Sequence, residues 1–282
     1  MSTAYARTPR GYTACVSERN GTEGVRASDE ATIVLAPNPG PMTLDGTNSY
    51  VLRAPGSPSA VVVDPGPDDP AHLARLAAAG PVELVLITHH HADHVAGALG
   101  FAELVGAPMR AFDPAYCAGA GPLVDGETIL AAGLALEVLH TPGHTADSAC
   151  FLVRGEAGPA VLTGDTILGR GTTIIADPDG ALGPYLDSLE RLRSLARAAD
   201  APVPALPAHG PVLPDLVAIC DAYLAHRAER LDQVRAALAA LGADASAEAV
   251  TDVVYRDTDA SVRQAAEASV RAQLAYLRGE RG

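Results

Sequence analysis

The stretch Thr88-His89-His90-His91-Ala92-Asp93-His94 has the spacing H-x-H-x-D-H. It follows an apolar run at residues 83–87, which predicts a buried strand, and residues 95–99 begin a helix-like segment. The motif therefore lies where a strand ends and a helix begins. In α/β sheets this is where functional sites are usually found.

Four side chains of this stretch can bind metal ions. Alternate residues of a strand point the same way, so His89 and His91 can share one ion, while Asp93 and His94 at the turn can reach a second. A solvated histidine-rich loop is the simpler alternative, but four potential ligands in six residues at such a corner argue against it. Asp93 also has an alternative role as a cap of the following helix.

Three further segments each present one potential ligand at a turn after an apolar run. They are Thr141-Pro142-Gly143-His144-Thr145, Val161-Leu162-Thr163-Gly164-Asp165-Thr166 and Pro207-Ala208-His209-Gly210-Pro211. A single His or Asp at a turn is more often a surface residue or a cap. All four segments in this order form a much more specific signal.

With these residues the sequence resembles the metallo-β-lactamase superfamily. The resemblance rests on His89, His91, Asp93, His94, His144, Asp165 and His209. It implies that His89, His91 and His144 bind one metal ion, and that Asp93, His94 and His209 bind another. Asp165 would bridge the two ions together with a water or hydroxide. His90 falls on a variable position of the motif and receives no role.

Further segments resemble one branch of that superfamily, the lactamase-β-2-like proteins. They are Asn38-Pro39-Gly40-Pro41, Gly46-Thr47-Asn48-Ser49-Tyr50, Gly164-Asp165-Thr166-Ile167-Leu168-Gly169, Gly171-Thr172 and Tyr223-Leu224-Ala225-His226-Arg227. The resemblance implies an αββα sandwich of the α/β class, followed by a small helical, winged-helix-like C-terminal domain. Composition and periodicity alone indicate only a layered α/β fold.

The predicted organisation has three parts. Residues 1–30 lack periodicity and are predicted to be a flexible N-terminal lead-in. Residues 31–213 are predicted to form the catalytic domain, and residues 214–282 the helical domain. The last segment carries 8 Arg and 11 acidic residues, whereas a module that binds nucleic acid by itself should be basic. His226, Arg227 and Arg230 are predicted on a solvated face of its long helix.

Two loops are predicted to line the entrance to the site. The loop at residues 37–45 corresponds to one that overhangs the metals in the superfamily, although an ordinary hairpin connection is an equal alternative. The second loop is the Gly/Thr-rich segment that follows Asp165. The candidates for substrate contact are Met42, Leu44, Asp45, Arg170 and Thr172.

Composition constrains the location and the partners. Of the 282 residues 48% are hydrophobic, enough for one sizeable core and a small appended unit. No apolar run approaches the ~18 residues of a membrane span, and the first 30 residues lack the apolar stretch of a signal peptide. We therefore expect a cytoplasmic protein without membrane contact. The scattered cysteines, Cys15, Cys117, Cys150 and Cys220, predict free thiols.

The net charge of the chain indicates whether nucleic acid is an expected partner. The net charge is −14, and all 20 basic residues are Arg. Because Lys and Arg provide much of the affinity for phosphates, this balance disfavours nucleic acid and favours a small-molecule or carrier-linked substrate. The sequence contains no signal of oligomeric state.

The donor set and the resemblance together imply a hydrolase. Five imidazoles and two carboxylates suit two Zn²⁺ ions, although iron or manganese also suits mixed nitrogen and oxygen ligands. The resemblance implies a binuclear zinc-dependent hydrolase that uses a metal-bridging hydroxide to cleave an ester or thioester. It also implies a catalytic role for Asp93, which would orient the hydroxide or accept its proton.

Two other functions are compatible with the sequence. One is a zinc-dependent single-strand endoribonuclease, and the other is a mononuclear iron dioxygenase of the same fold. Hydrolysis of β-lactams is not expected, because Asp165 stands where the true metallo-β-lactamases often carry Cys. The acidic charge favours the ester or thioester over RNA.

Overall fold

Two β-sheets packed face to face form the centre of the molecule, and helices cover their outer faces. The computed structural model describes residues 24–156, 158–175, 178–256 and 263–279.

The first sheet contains six strands, ordered in space as in the chain. They are Val25–Arg26 (β1), Ala31–Leu35 (β2), Asn48–Leu52 (β3), Ala60–Val63 (β4), Val82–Leu86 (β5) and Met109–Arg110 (β6). Strands β1 to β4 are antiparallel neighbours, whereas β5 and β6 continue parallel to β4. The register aligns Val63 with Leu86, so β4 and β5 end at the same edge of the sheet.

The second sheet contains five strands in the order β11-β10-β9-β8-β7. They are Thr128–Ala131 (β7), Leu134–His140 (β8), Ala149–Gly155 (β9), Gly158–Gly164 (β10) and Ala205–Pro207 (β11). The pair β10–β11 is parallel and the other pairs are antiparallel. The residues that follow β10 and β11 therefore emerge at one edge as well.

Seven helices and a short 3₁₀ turn at Pro114–Tyr116 complete the described fold. The helices are Pro70–Ala77 (α1), Ala92–Val95 (α2), Ala98–Val105 (α3), Leu182–Arg197 (α4), Leu216–Leu241 (α5), Ala247–Val254 (α6) and Arg263–Leu277 (α7). Side-chain caps begin two of these helices: at α1 Asp69 accepts from the backbone N–H of His72 at 2.7 Å, and at α6 Ser246 accepts from the backbone N–H of Ala249 at 3.2 Å.

Alternation along β4 separates two of the cores. Val61 and Val63 face the second sheet and pack in one cluster with Phe151 of β9. Val62 points the other way and packs with Leu76 of α1. Each side chain buried in this way contributes about 1.5–3 kcal/mol of hydrophobic stabilisation.

The outer face of the second sheet packs against α4 and the first half of α5. Leu152 of β9, Leu189 of α4 and Cys220 of α5 belong to this third cluster. The second half of α5 forms a smaller cluster with α6 and α7 that includes Val234 and Val270. One long helix thus joins the outer face of the second sheet to the C-terminal helices.

This layering confirms the predicted αββα sandwich with a helical C-terminal segment. Within residues 208–256 and 263–279 the structure assigns helices and no strand. No helix of the described chain is both long enough and apolar enough to cross a bilayer. Cys117, Cys150 and Cys220 are free thiols, as predicted, and Cys15 lies outside the described residues.

The predicted lead-in at residues 1–30 is wrong for its last part. Val25 pairs with Ile33 in the first sheet, and Glu30 is only 4% exposed. A strand of two residues has no periodicity that a sequence pattern could reveal. Residues 1–23 of the predicted lead-in lie outside the described residues.

Candidate metal centre

The H-x-H-x-D-H stretch lies directly after β5, at the edge where β4 also ends. Asp64 follows β4 with a positive φ of 50°. Its Oδ1 accepts from the backbone N–H of Thr88 at 2.8 Å, and its Oδ2 accepts from the Thr88 hydroxyl at 2.6 Å. These contacts fix the backbone at the point where the histidines begin.

The alternative role of Asp93 as a helix cap is wrong. The N-cap of α2 is His91, and no side chain caps this helix by a hydrogen bond. Asp93 lies in the first turn, and its carboxylate faces two imidazoles.

The side chains of His89, His91 and His144, called the first group, converge on one point. Nδ1 of His91 lies 3.0 Å from Nε2 of His89 and 3.1 Å from Nε2 of His144. The other nitrogen of His144 donates to the carbonyl oxygen of Ile174 at 2.8 Å. The other nitrogen of His89 lies 3.1 Å from the Thr88 hydroxyl, which already donates to Asp64.

This arrangement leaves lone pairs facing each other in the first group. Because Nδ1 of His89 and Nδ1 of His144 are donors, the Nε2 atoms of these two rings carry lone pairs. Nδ1 of His91 can donate a proton to only one of them. Nitrogen ligands of a tetrahedral zinc ion are about 3.3 Å apart, close to the observed spacing. The first group therefore fits a cation better than a hydrogen-bond network.

A second group consists of Asp93, His94 and His209. Oδ2 of Asp93 lies 3.1 Å from Nε2 of His209 and 3.4 Å from Nε2 of His94. The Nδ1 atoms of both rings have other partners. Nδ1 of His94 lies 2.9 Å from Oδ2 of Asp64, and Nδ1 of His209 lies 3.2 Å from the carbonyl oxygen of Gly46. Both Nε2 atoms are buried without a hydrogen-bond partner among the described residues.

Asp165 lies between the two groups, directly after β10. Its Oδ1 is 3.4 Å from Nε2 of His209 and 3.7 Å from Nε2 of His94, and its Oδ2 is 3.7 Å from Nε2 of His144. Within the described chain, buried Oδ1 has no hydrogen-bond partner. One carboxylate thus faces both groups, which is the geometry that a bridging ligand requires.

The electrostatics of the two groups differ. Burial and the neighbouring imidazoles lower the pKa of His91 to about 4, so this ring is neutral and keeps one nitrogen lone pair at neutral pH. In the second group burial lowers the pKa of His94, but the carboxylates of Asp64 and Asp165 outweigh burial and raise it well above its ordinary value. A field that attracts a proton to this ring also attracts a metal cation.

His90 belongs to neither the first group nor the second group. Its Nδ1 lies 2.8 Å from Oδ1 of Asp147, and its Nε2 lies 3.5 Å from Oδ2 of Asp179. The ring stacks against Tyr116 with centroids 6.2 Å apart.

The five predicted substrate contacts lie on the two entrance loops. Asp45 and Arg170 form a bidentate ion pair at 2.7 and 2.8 Å that joins these loops. Met42 is 55% exposed, Leu44 lies beside Gly210, and Thr172 is half-buried. None of the five belongs to the first or second group, and their contact with substrate remains a prediction.

Two residues around the groups were missed by sequence reasoning. Asp64 supports His94, and Nδ2 of Asn48 donates to the carbonyl oxygens of Pro207 at 2.9 Å and Gly210 at 2.8 Å, fixing the turn of His209. The signal for Asp64 was present, because it follows an apolar run in the same way as Asp165 does.

Comparison with known proteins identifies the family. The family model described as the metallo-beta-lactamase superfamily matches residues 42–205. Lactamase-like protein aptB of Emericella nidulans is 34% identical over 219 residues, which cover 73% of this chain and 64% of that protein. The chain thus spans less than two thirds of that relative.

Of two other relatives, one matches most of the chain and the other has a name that describes an activity. The beta-lactamase-like protein 2 homolog of Caenorhabditis elegans is 31% identical over 265 residues, covering 89% of this chain and 85% of that protein. A protein of Aspergillus chevalieri named atrochrysone carboxyl ACP thioesterase is 32% identical over 222 residues, covering 76% of this chain and 67% of its own.

A solved structure supports the fold. A beta-lactamase domain protein from Burkholderia ambifaria superposes with a TM-score of 0.74 at 19% identity, covering 94% of this chain and 92% of that one. The fold, the family model and the relatives agree with the resemblance seen in the sequence. The chain belongs to the metallo-β-lactamase superfamily.

Proposed function

We propose that this chain is a metal-dependent hydrolase that cleaves a thioester or ester of a small-molecule or carrier-linked substrate. In this proposal the first and second groups would each hold one zinc ion, and Asp165, whose carboxylate faces both groups, would be a ligand of both. The observation that carries it is the set of buried, unpartnered atoms, Nε2 of His94, Nε2 of His209 and Oδ1 of Asp165, beside the lone pairs of the first group. When bound, two such ions supply a nucleophile from water at neutral pH and polarise the bond under attack.

Asp93 is the residue of the second group that reaches solvent. Its side chain is 28% exposed, whereas those of His94 and His209 are fully buried. Burial raises the pKa of Asp93, but contacts with His209 and His94 outweigh burial and hold it well below its ordinary value. The ionised carboxylate can accept a hydrogen bond from the reacting water and orient it.

The substrate class is inferred from the relatives and from the charge. The thioesterase named above supports a thioester, and its name supports a carrier-linked one. The net charge of −14 disfavours a polyanionic substrate.

Four arginines of residues 31–213 that could bind the phosphates of RNA are engaged with other groups. Arg110 pairs with Glu127, Arg154 with Glu137 and Arg170 with Asp45, while Arg53 donates to the carbonyl oxygen of Ala79. Binding of flanking phosphates would require these contacts to break, which supports the ester or thioester over RNA.

Metal analysis combined with a substrate panel tests the proposal. We expect two zinc ions per chain and faster turnover of acyl thioesters or aryl esters than of bis(p-nitrophenyl) phosphate or single-stranded RNA. One iron and no zinc in native protein would instead favour the dioxygenase. RNA cleavage that persists from ~50 to ~200 mM salt, is lost in Asp165→Ala and occurs without esterase activity would favour the endoribonuclease.

A further inference from the structure

A buried guanidinium lies behind the entrance loop that follows Asp165. Arg227 of α5 is 5% exposed, so the predicted solvated face is wrong for this residue. Its NH2 group donates to the carbonyl oxygen of Thr173, and its Cζ lies 5.1 Å from the centroid of the Tyr185 ring. Among the described residues no carboxylate lies within ion-pair distance of it. The cation therefore contacts a backbone carbonyl and an aromatic face rather than a counter-ion.

Tyr223 lies one turn earlier on the same face of α5 and contacts the same loop. Its hydroxyl accepts from the backbone N–H of Leu168 at 3.0 Å and lies 3.3 Å from the carbonyl oxygen of that residue. Tyr223 is also buried. Two polar side chains spaced i, i+4 thus hold both ends of residues 168–173.

The segment that α5 holds also contacts two residues of the candidate metal centre. The Thr173 hydroxyl donates to the carbonyl oxygen of Asp165 at 2.7 Å. The next residue, Ile174, offers the carbonyl oxygen that accepts from Nδ1 of His144 at 2.8 Å. Since the partner of Nδ1 sets the tautomer and direction of an imidazole ligand, a shift of Ile174 would misdirect Nε2 of His144.

We propose that Tyr223 and Arg227 are positioning residues of the metal centre. By holding residues 168–174, α5 keeps Nε2 of His144 aimed at the first group. The inference rests on the proposed two-ion site. It assigns α5 a role in metal retention that packing alone would not provide.

Chelator-driven loss of metal from the full chain loaded with two cobalt(II) ions tests this role. The absorbance of the bound cobalt(II) separates the kinetic phases in which the two ions are lost. The variants His144→Ala and His209→Ala assign these phases to the first and second groups. The test variants are Tyr223→Phe and Arg227→Met. Their matched controls are Tyr276→Phe, a tyrosine packed against the same core cluster, and Arg230→Met, whose guanidinium stacks on Tyr255 at 5.0 Å.

We expect Arg227→Met to speed loss of the first-group ion about tenfold and Tyr223→Phe to speed it about fivefold. Both controls and the second-group phase should stay within about twofold of wild type, because His94 and His209 are oriented by Asp64 and Gly46. Arg227→Lys should restore part of the retention, since an ammonium group can still donate to Thr173.

Three outcomes would overturn part or all of this account. If wild type holds two ions and the test variants lose them at the rate of their controls, the inference fails and the proposed function stands. If both phases speed equally and in proportion to a lower melting temperature of the metal-free protein, the role is structural only and the inference also fails. A wild-type chain that does not hold two ions would remove the proposed function and the inference together.

Discussion

The carboxylate of Asp64 lies 2.9 Å from Nδ1 of His94, and both side chains are buried. The same carboxylate binds the backbone and hydroxyl of Thr88. Asp64 therefore links the ends of β4 and β5 and leaves Nε2 of His94 free to face Asp93 and Asp165. An acceptor on one ring nitrogen is the usual means of aiming the other at a metal ion.

We predict that Asp64→Asn weakens the binding of the second-group ion about 10–100-fold and affects the first-group ion much less. Competition with a chromophoric chelator would measure both affinities. Asp69→Asn is the matched control, because Asp69 caps α1 and Asn caps helices about as well as Asp. Equal losses at both sites would contradict the assignment of Asp64 to His94.

Asp165 and His90 should respond very differently to truncation. Asp165→Ala removes the carboxylate that faces both groups, so we expect fewer than two ions per chain and almost no turnover. His90→Ala should have a much smaller effect, because His90 is paired with Asp147. Metal analysis and turnover of the same preparations provide the comparison, and similar effects of both changes would show that the ligand assignment is wrong.

The ion pair of Arg170 and Asp45 tests the predicted substrate contacts. Since these side chains are 45% and 59% exposed, breaking the pair should change the free energy of unfolding by less than about 1 kcal/mol. We expect Arg170→Gln to raise KM with kcat unchanged, as loss of uniform binding does. Arg154→Gln, which breaks a similarly exposed pair with Glu137, should leave KM unchanged. Identical KM values for the two variants would mean that the pair only joins the loops.

The candidate ligands could be predicted from the sequence, because each ligand segment follows an apolar run that ends at a sheet edge. Such local signals do not require knowledge of the fold, and the largely apolar runs at residues 60–63 and 134–140 predict strands with the bounds observed. The role of Asp64 depends on the register of β4 against β5, which is a long-range property. Arg227 was misjudged because α5 is covered by α4 along one half and by α6 and α7 along the other, so its apolar residues follow no single stripe.

We expect a buried histidine outside the metal centre to make stability depend on pH. His72 of α1 is fully buried, with Nε2 at 2.9 Å from the Ser49 hydroxyl and Nδ1 at 3.1 Å from the guanidinium of Arg75. Nδ1 must accept from Arg75, so Nε2 carries the proton and the ring is neutral. Burial, and then the charge of Arg75, lower the pKa of His72 to about 4.

His72 is protonated in the folded state only near pH 4, whereas in the unfolded chain it is protonated near its ordinary pKa of about 6.5. The stability contributed by neutral His72 is therefore complete above pH 6.5. It is lost progressively as the pH falls from about 6.5 to about 4. Between pH 7 and pH 5 the loss should reach at most about 2 kcal/mol. We expect urea unfolding of the metal-free protein to show this decrease, and His72→Gln, although less stable at pH 7, to show a decrease that is smaller by up to that amount. Equal decreases in wild type and His72→Gln would place the pH dependence in other groups.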